Sequence, residues 1–174
     1  LGSARQFCKH NSLNEALVEL EFGNLAKIQK NNPKAVNHYL RACSFFESAG
    51  VYSPLLKAYI DLAEFNRSIY KHNEGLGYIR KALKIIEKKQ CNDTLLWLRA
   101  FNRAAAIYNE LNKRDTCILY SNKVLELSEY SKNYYWQANT YNELGSLYKD
   151  LGQYDRAEEY FKKAESIWFS CGAE

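Results

Sequence analysis

The sequence contains no methionine, two prolines and eight glycines in 174 residues, and its five cysteines are widely separated. So little proline and glycine argues against a turn-rich all-β chain and favours helices. No CxxC pair is present, so neither a zinc knuckle nor a redox pair is indicated. Because Leu1 is not a natural translation start, we expect the domain to be part of a longer chain.

Long apolar runs are also missing. No uncharged apolar run approaches the ~18 residues that a membrane span needs, so we expect no membrane span in this segment. The net charge of +4 is too small to indicate a nucleic-acid partner. We expect the cysteines to be free thiols, with Cys43 and Cys117 on apolar faces, and free thiols are more typical of a reducing, cytoplasmic compartment.

Signatures of catalysis and of cofactor binding are absent from the sequence as well. The three histidines, His10, His38 and His72, are isolated from one another. There is no HExxH helix, Ser/His/Asp signature or phosphate-binding loop. We therefore expect that the chain is not an enzyme, that it has no catalytic residues and no metal site, and that it needs no cofactor.

What the sequence does contain is an internal repeat. The clearest copy includes the segment YNELGSLYKDLGQYDRAEEYFKKAESI, which runs from Tyr141 to Ile167. Three weaker copies start near residues 16, 56 and 98, and the clearest copy starts near residue 138. Successive copies are therefore 40, 42 and 40 residues apart. Self-similarity at such a period is typical of repeat proteins. The four predicted repeats are 16–49, 56–89, 98–131 and 138–171.

Each copy predicts two amphipathic helices. Positions 4, 7, 8 and 11 of the repeat form one apolar stripe, and positions 20, 24 and 27 form another. Small residues and aromatic residues alternate in these stripes, so we expect the two helices to cross closely at the small residues. Glycine inside a helix is less favourable than alanine by ~1 kcal/mol. We therefore expect Gly145 to face its partner helix, where a side chain would push that helix away.

This pattern resembles the tetratricopeptide repeat (TPR), a unit of about 34 residues with a large residue, then Leu-Gly, Tyr, Ala, an aromatic and Ala. Residues 138–171 match the motif at nearly every position, and the other copies depart from it at Glu19, Asn66 and Ser121. The longer unit here is similar to TPRs in bacterial regulatory and sensor proteins. The resemblance implies one all-α domain over residues 1–174, a right-handed α-α superhelix (solenoid) of four TPR-like helical hairpins.

Local signals indicate where individual helices begin and end. Ser12 with Glu15 predicts a capping box at the start of the first helix. Gly152 predicts a helix end in the left-handed conformation. The remaining predicted signals are helix starts: Pro33 and Pro54 in the first turns of the second and third helices, and N-caps at Asn73, at Asp93 or Thr94, and at Asp115.

The TPR resemblance implies a concave groove lined by positions 2, 5, 9 and 12 of each first helix. Five of these sixteen residues are asparagine, five are cations and one is an acid. An asparagine carries both a donor and an acceptor for a peptide backbone, and the cations favour acidic groups. The alternative to a binding groove is that these residues simply form a polar, exposed helix face. The predicted groove residues are Asn24, Lys27, Lys57, Arg67, Arg99, Asn102, Arg103, Asn109, Asn139, Asn142 and Lys149.

A more specific binding mode for this groove would be the two-carboxylate clamp of chaperone-binding TPRs. Asn24, Arg99 and Arg103 fall at three positions that match this clamp. Leu20 and Asp61, however, replace its first lysine and second asparagine. Because an acid at Asp61 would repel a carboxylate, we expect no such clamp.

The resemblance therefore predicts a non-catalytic scaffold module that binds a protein or peptide, with acidic groups as the favoured chemistry. The alternative is a sensory or dimerisation region of a bacterial signalling protein, a histidine kinase or a transcription regulator. A structural spacer is a third class. Ile167, Trp168 and Phe169 lie near the end of the sequence with no further helix to cover them, which predicts self-association through these residues.

Overall fold

The structure is a computed structural model that describes residues 2–88 and 90–172, with side chains described for residues 13–88 and 90–171. These ranges contain eight α-helices and no β-strand, so the predicted all-α class is confirmed. In chain order the helices are α1 (Gly2–Ile28), α2 (Asn32–Ala49), α3 (Tyr52–Ser68), α4 (His72–Glu87), α5 (Thr94–Glu110), α6 (Arg114–Tyr130), α7 (Tyr134–Asp150) and α8 (Tyr154–Gly172).

Successive helices pair into four hairpins, one for each predicted repeat. The chain divides into two compact units, of which the first ends at Leu96 and the second begins at Trp97. Helices α1 to α4 belong to the first unit, and most of α5 belongs with α6, α7 and α8 to the second. The prediction of a single domain over residues 1–174 stays a prediction. None of the described helices combines the length and apolar character needed to cross a membrane.

The extra residues of the long repeat unit extend the first helix of each hairpin. Helices α3, α5 and α7 each begin four residues before the predicted start of their repeat. Helix α1 begins earlier still, at Gly2, so the predicted capping box at Ser12 and Glu15 is wrong. The helical backbone runs through Ser12 because the segment between Gly2 and Ser12 contains no proline and no further glycine to stop it.

A left-handed residue joins the two helices within every hairpin. Lys30, Tyr70, Asn112 and Gly152 occupy the same repeat position and have φ of 56°, 62°, 59° and 72°. The prediction for Gly152 is confirmed, and three residues with side chains adopt the same conformation. Each of these residues donates its backbone N–H to the carbonyl three residues earlier, at 3.0, 3.0, 2.9 and 3.0 Å in chain order. These bonds close the end of the first helix.

The left-handed residue also sets where the second helix begins, which is always two residues later. Two predicted N-caps are wrong for this reason. Asn73 and Asp115 lie inside the first turns of α4 and α6, which follow Lys71 and Lys113. By contrast, Asp93 caps α5 as predicted, because its Oδ1 accepts a hydrogen bond from the Leu96 N–H at 3.1 Å.

Pro33 and Pro54 lie in the first turns of α2 and α3, as predicted. Asn31 supplies the cap of α2, since its Oδ1 accepts a hydrogen bond from the Lys34 N–H at 3.2 Å. Asn133 does the same for α7 by accepting from the Trp136 N–H at 3.3 Å. Neither of these two asparagines was identified from the sequence.

The described cysteines are free thiols. Cys43, Cys91 and Cys117 are buried, and Cys171 is exposed. Burial raises the pKa of the Cys43 thiol to about 12, and burial also raises the pKa of Cys117. These two cysteines therefore act as small apolar side chains, as predicted, while the side chain of Cys8 lies outside the described residues.

Close helix crossing depends on glycine at the predicted places. A Cβ added to Gly145 would lie 2.7 Å from two ring carbons of Phe161 on α8. A Cβ on Gly23 would lie 2.8 Å from the Tyr39 ring on α2. Both distances are well inside van der Waals contact, so the absent side chain is what admits the aromatic ring. The sequence-based interpretation of small residues facing aromatic residues is confirmed.

We predict that Gly145→Ala lowers the free energy of unfolding by ~1 kcal/mol, because overpacking against Phe161 outweighs the gain in helix propensity. Gly77→Ala is the matched control, since Gly77 lies in α4 with no atom near the new methyl group. That control should raise the stability by ~1 kcal/mol. Urea denaturation followed by far-UV circular dichroism measures both. Equal stabilisation of the two variants would contradict the close contact.

Candidate peptide-binding surface

The predicted groove residues fall on two faces, one in each unit. The first-unit face comprises the predicted residues on α1 and α3, and the second-unit face those on α5 and α7. Except for Arg103, the residues of each helix are three, seven or ten positions apart, and these spacings keep them on one side of the helix. Arg103 directly follows Asn102 and is turned about 100° away from it around α5. The first-unit face consists of Asn24, Lys27, Lys57 and Arg67, and the second-unit face of Arg99, Asn102, Arg103, Asn109, Asn139, Asn142 and Lys149.

Asn24 is exposed on α1 and is oriented by α2. Its Oδ1 accepts a hydrogen bond from the Tyr39 hydroxyl at 2.7 Å. Burial, reinforced by the nearby carboxylates of Asp61 and Glu21, raises the pKa of Tyr39, so the phenol stays protonated and keeps donating at neutral pH. The amide NH₂ of Asn24 therefore supplies the donors that this side chain can offer a ligand.

The cations of the first-unit face differ in how far they are already engaged. Arg67 is half-buried and binds Glu64 through two hydrogen bonds of 2.9 and 2.8 Å. Lys27 is exposed, with its Nζ 5.9 Å from the centre of the Phe65 ring, which links α1 to α3. Lys57 is exposed on α3. The positive charge open to a ligand on this face therefore comes chiefly from the two lysines.

The second-unit face contains a hydrogen bond between its two first helices. Asn102 on α5 is only 5% exposed, and its Nδ2 donates to Oε2 of Glu143 on α7 at 2.9 Å. This bond uses the NH₂ group of the Asn102 amide and holds α5 beside α7. Asn102 thus serves the packing of the repeat, and Asn142, one repeat later, is exposed.

The remaining residues of the second-unit face are accessible to different degrees. Asn142 and Lys149 are exposed on α7, and Asn139 is half-buried. Arg99 and Arg103 on α5 are half-buried as well. Arg114 donates a hydrogen bond from Nη1 to Oδ1 of Asn109, so this asparagine is partly engaged.

Lys149 borders an open depression of about 570 Å³ between α7 and α8. Ala157 and Phe161 contribute apolar surface to it, and Tyr154 stands at its side. Lys162 and Glu158 form an ion pair of 2.6 Å at its margin. A depression that combines apolar walls with a nearby ammonium group can accept an apolar side chain next to an acidic one.

The sequence analysis did not identify Glu143 and Tyr39, which orient the predicted residues. It counted Glu64 as the one acid among the sixteen groove positions but did not predict that Glu64 binds Arg67. The signal for Glu143 was available, because Asn102 and Glu143 lie 41 residues apart, about one repeat, and neighbouring repeats place such residues side by side. Among residues 13–88 and 90–171, no group of three His, Cys, Asp or Glu side chains could hold a metal ion.

We predict that Asn102→Ala lowers the free energy of unfolding by ~1–2 kcal/mol, because it removes a hydrogen bond to a carboxylate. Asn142→Ala is the exposed counterpart and should change the stability by less than ~0.5 kcal/mol. Urea denaturation of both variants, and of each combined with Glu143→Ala, measures the coupling. A coupling of zero between positions 102 and 143 would contradict this role for Asn102.

Comparisons with known proteins agree with this architecture. A sequence model described as "Tetratricopeptide repeat" matches residues 96–168, which begin in α5 and end in α8. No curated protein matches the sequence. Solved structures resemble the chain at identities below 20%, where the likeness concerns the fold alone.

One of these structures is BtubC (BKLC) from P. vanneervenii, with a TM-score of 0.79 and 16% identity. The match covers 91% of this chain but 65% of that one, so this chain spans about two thirds of the length of BtubC. A structure of MamA has a TM-score of 0.68 and 18% identity, and the match covers 99% of this chain and 89% of MamA. A second MamA structure has a TM-score of 0.52 and 15% identity, with 88% and 91% covered.

The glycine and aromatic repeat pattern, the four helical hairpins and the match over residues 96–168 lead to one assignment. Residues 96–168 of this chain match the tetratricopeptide repeat family, and solved structures share the helical-repeat fold of the whole chain, as the sequence pattern predicted.

Proposed function

We propose that this chain is a non-catalytic scaffold module that binds an extended peptide through the exposed faces of its first helices. The match of residues 96–168 to the TPR family supports a role in protein–protein interaction. The observation that carries the proposal is the second-unit face. There Asn142 and Lys149 stand exposed on one side of α7, two helical turns apart.

The two residues offer different chemistry to a peptide. Asn142 presents a donor and an acceptor together, which match the C=O and N–H of an extended backbone whatever its side chains are. Lys149 offers an ammonium group at the edge of the depression that Phe161 and Ala157 line. An apolar peptide side chain fills the depression, and a neighbouring carboxylate binds Lys149.

The charge of the two faces favours an acidic ligand. Arg99, Arg103 and Lys149 contribute positive charge to the second-unit face, against the carboxylate of Glu143. Lys27 and Lys57 contribute it to the first-unit face. Because these groups are exposed or half-buried, their attraction for an acidic peptide weakens as salt screens it.

A fluorescent peptide of alternating glutamate and leucine tests the proposal by fluorescence anisotropy. We expect saturable binding that weakens as the salt concentration rises, together with at least a tenfold loss of affinity in the variant Asn142→Ala with Lys149→Ala. An arginine and leucine peptide of the same length should not bind.

The control combines Asn122→Ala on α6 with Lys88→Ala after α4, which removes an exposed asparagine and an exposed lysine elsewhere. It should bind like the unaltered chain. Equal affinity of the Asn142/Lys149 variant and this control would contradict binding at the second-unit face. Unchanged far-UV circular dichroism shows that all variants remain folded.

Self-association through Ile167, Trp168 and Phe169 is a second proposal. Phe169 is exposed at the end of α8, while the Trp168 ring packs edge-on against Tyr135 at 5.9 Å. Trp168→Glu should then reduce the mass measured by sedimentation to that of a monomer. An unchanged mass would remove these residues from any contact between copies.

A further inference from the structure

A cavity of about 420 Å³ opens between α5 and α6 in the second unit. Three aromatic side chains, one leucine, one lysine and one glutamate line it. We call this cavity the α5–α6 pocket, and its lining residues are Trp97, Phe101, Lys123, Glu126, Leu127 and Tyr130. Its volume lies within the range of about 300–1,000 Å³ that is usual for small-molecule sites.

The side chains of this pocket occur together in the third repeat only. The position of Glu126 holds serine in the first and last repeats and Lys84 in the second. The position of Tyr130 holds serine in the first and last repeats and Lys88 in the second. No other repeat has an aromatic residue at the position of Trp97. A helical hairpin of this fold therefore forms without these three side chains.

Aromatic ring faces hold cations in the second, third and fourth hairpins. In the third, the Nζ of Lys123 lies 5.5 Å from the centre of the Phe101 ring and 5.3 Å from the centre of the Tyr120 ring. Lys81 and Lys163 take the same place in the second and fourth hairpins. The face of an aromatic ring is negative and attracts a positive charge. The α5–α6 pocket thus has walls of the kind that recognise a cation.

Glu126 supplies a charge that is open to a ligand. It is exposed, and within the described part of the chain its carboxylate has no ion-pair or hydrogen-bond partner. The ammonium group of Lys123, by contrast, already lies over two rings. The pocket therefore combines aromatic walls with an uncompensated carboxylate, and both favour a positively charged ligand.

The walls also select the kind of cation. A primary ammonium group carries three N–H donors and a guanidinium group carries five. Apart from the Glu126 carboxylate and the Tyr130 hydroxyl, the lining side chains offer no acceptor for them, so most of these donors would lose water without replacement. A quaternary ammonium group has no N–H to satisfy, and its methyl groups pack against aromatic rings.

We propose that the α5–α6 pocket binds a small molecule that carries a trimethylammonium group and has about the size of choline. The methyl groups contact the rings of Trp97 and Tyr130, and the carboxylate of Glu126 balances the positive charge. This inference is independent of the proposed peptide binding, because that binding uses Asn142 and Lys149 on α7.

Isothermal titration calorimetry with three ligands of similar shape and different charge tests the proposal. Choline is the cation, its neutral isostere has a carbon atom in place of the nitrogen, and tert-butylacetate is the anion. We expect saturable binding of choline, with an affinity roughly tenfold or more above that of the neutral isostere. Tert-butylacetate should bind no better than the neutral isostere.

Two variants locate the site. Glu126→Gln should weaken choline binding by roughly fivefold or more and leave the neutral isostere unaffected, because only the cation needs the carboxylate. Tyr130→Leu, at a residue that is 86% exposed, removes a ring but keeps apolar bulk, so it should weaken choline more than the isostere. The matched controls are Glu165→Gln and Tyr154→Leu, at exposed residues of α8 outside the pocket. Both controls should bind choline like the unaltered chain.

Lys123→Gln distinguishes a cation site from an anion site. Removing this positive charge should strengthen choline binding by about twofold, since the lysine repels a cationic ligand across a surface where salt screens the charge. Weaker choline binding in this variant would overturn the proposal. Tighter binding of tert-butylacetate than of choline would do the same.

The remaining outcomes are equally decisive. Equal affinities for choline and its neutral isostere would leave an apolar cavity without preference for charge and would overturn the proposal. No saturable binding of choline to the unaltered chain would overturn it too, as would equal losses in the pocket variants and their controls. Unchanged far-UV circular dichroism shows that the variants remain folded.

Discussion

The close crossing of two helices at a small residue is the constraint on which each hairpin depends. The small residue is glycine in the first and last hairpins, and it is alanine, Ala63 and Ala105, in the other two. Gly145 lets the Phe161 ring approach to within 2.7 Å of where a Cβ would stand, and Gly23 admits Tyr39 in the same way. A side chain at either position would force the ring or the partner helix outward. Because interiors are packed densely, such a shift would spread to the neighbouring residues. The glycine persists despite its poor helix propensity because it defines the separation of the helices.

The turn inside each hairpin adds a second constraint, which concerns where the second helix begins and which of its sides faces the core. A left-handed residue stands at the same repeat position four times, and only one of the four is glycine. Tyr70 adopts this conformation with a bulky side chain, so the surrounding hairpin imposes it rather than the residue's own preference. The turn fixes where the next helix starts, and it thereby fixes which side chains of that helix face the core. Asn73 and Asp115 resemble caps in the sequence but fall inside a helix for this reason.

The candidate surface shows how one repeat position takes different roles. Asn102 and Asn142 are equivalent in the repeat, yet Asn102 is buried against Glu143 of the next first helix and Asn142 is exposed. The difference comes from the neighbour: α7 lies beside α5, and no described helix lies beside α7 in the same way. Position in the array thus decides whether a side chain stabilises the fold or is available to a partner.

The sequence by itself determined the all-α class, the four hairpins and the small residues that face aromatic rings. It could do so because each depends on residues within one repeat, and the repeat shows its pattern four times. It also placed the candidate binding residues on the first helices. Only the tertiary structure decided which of those residues are exposed, since that depends on contacts such as Asn102 with Glu143 and Tyr39 with Asn24 between different helices.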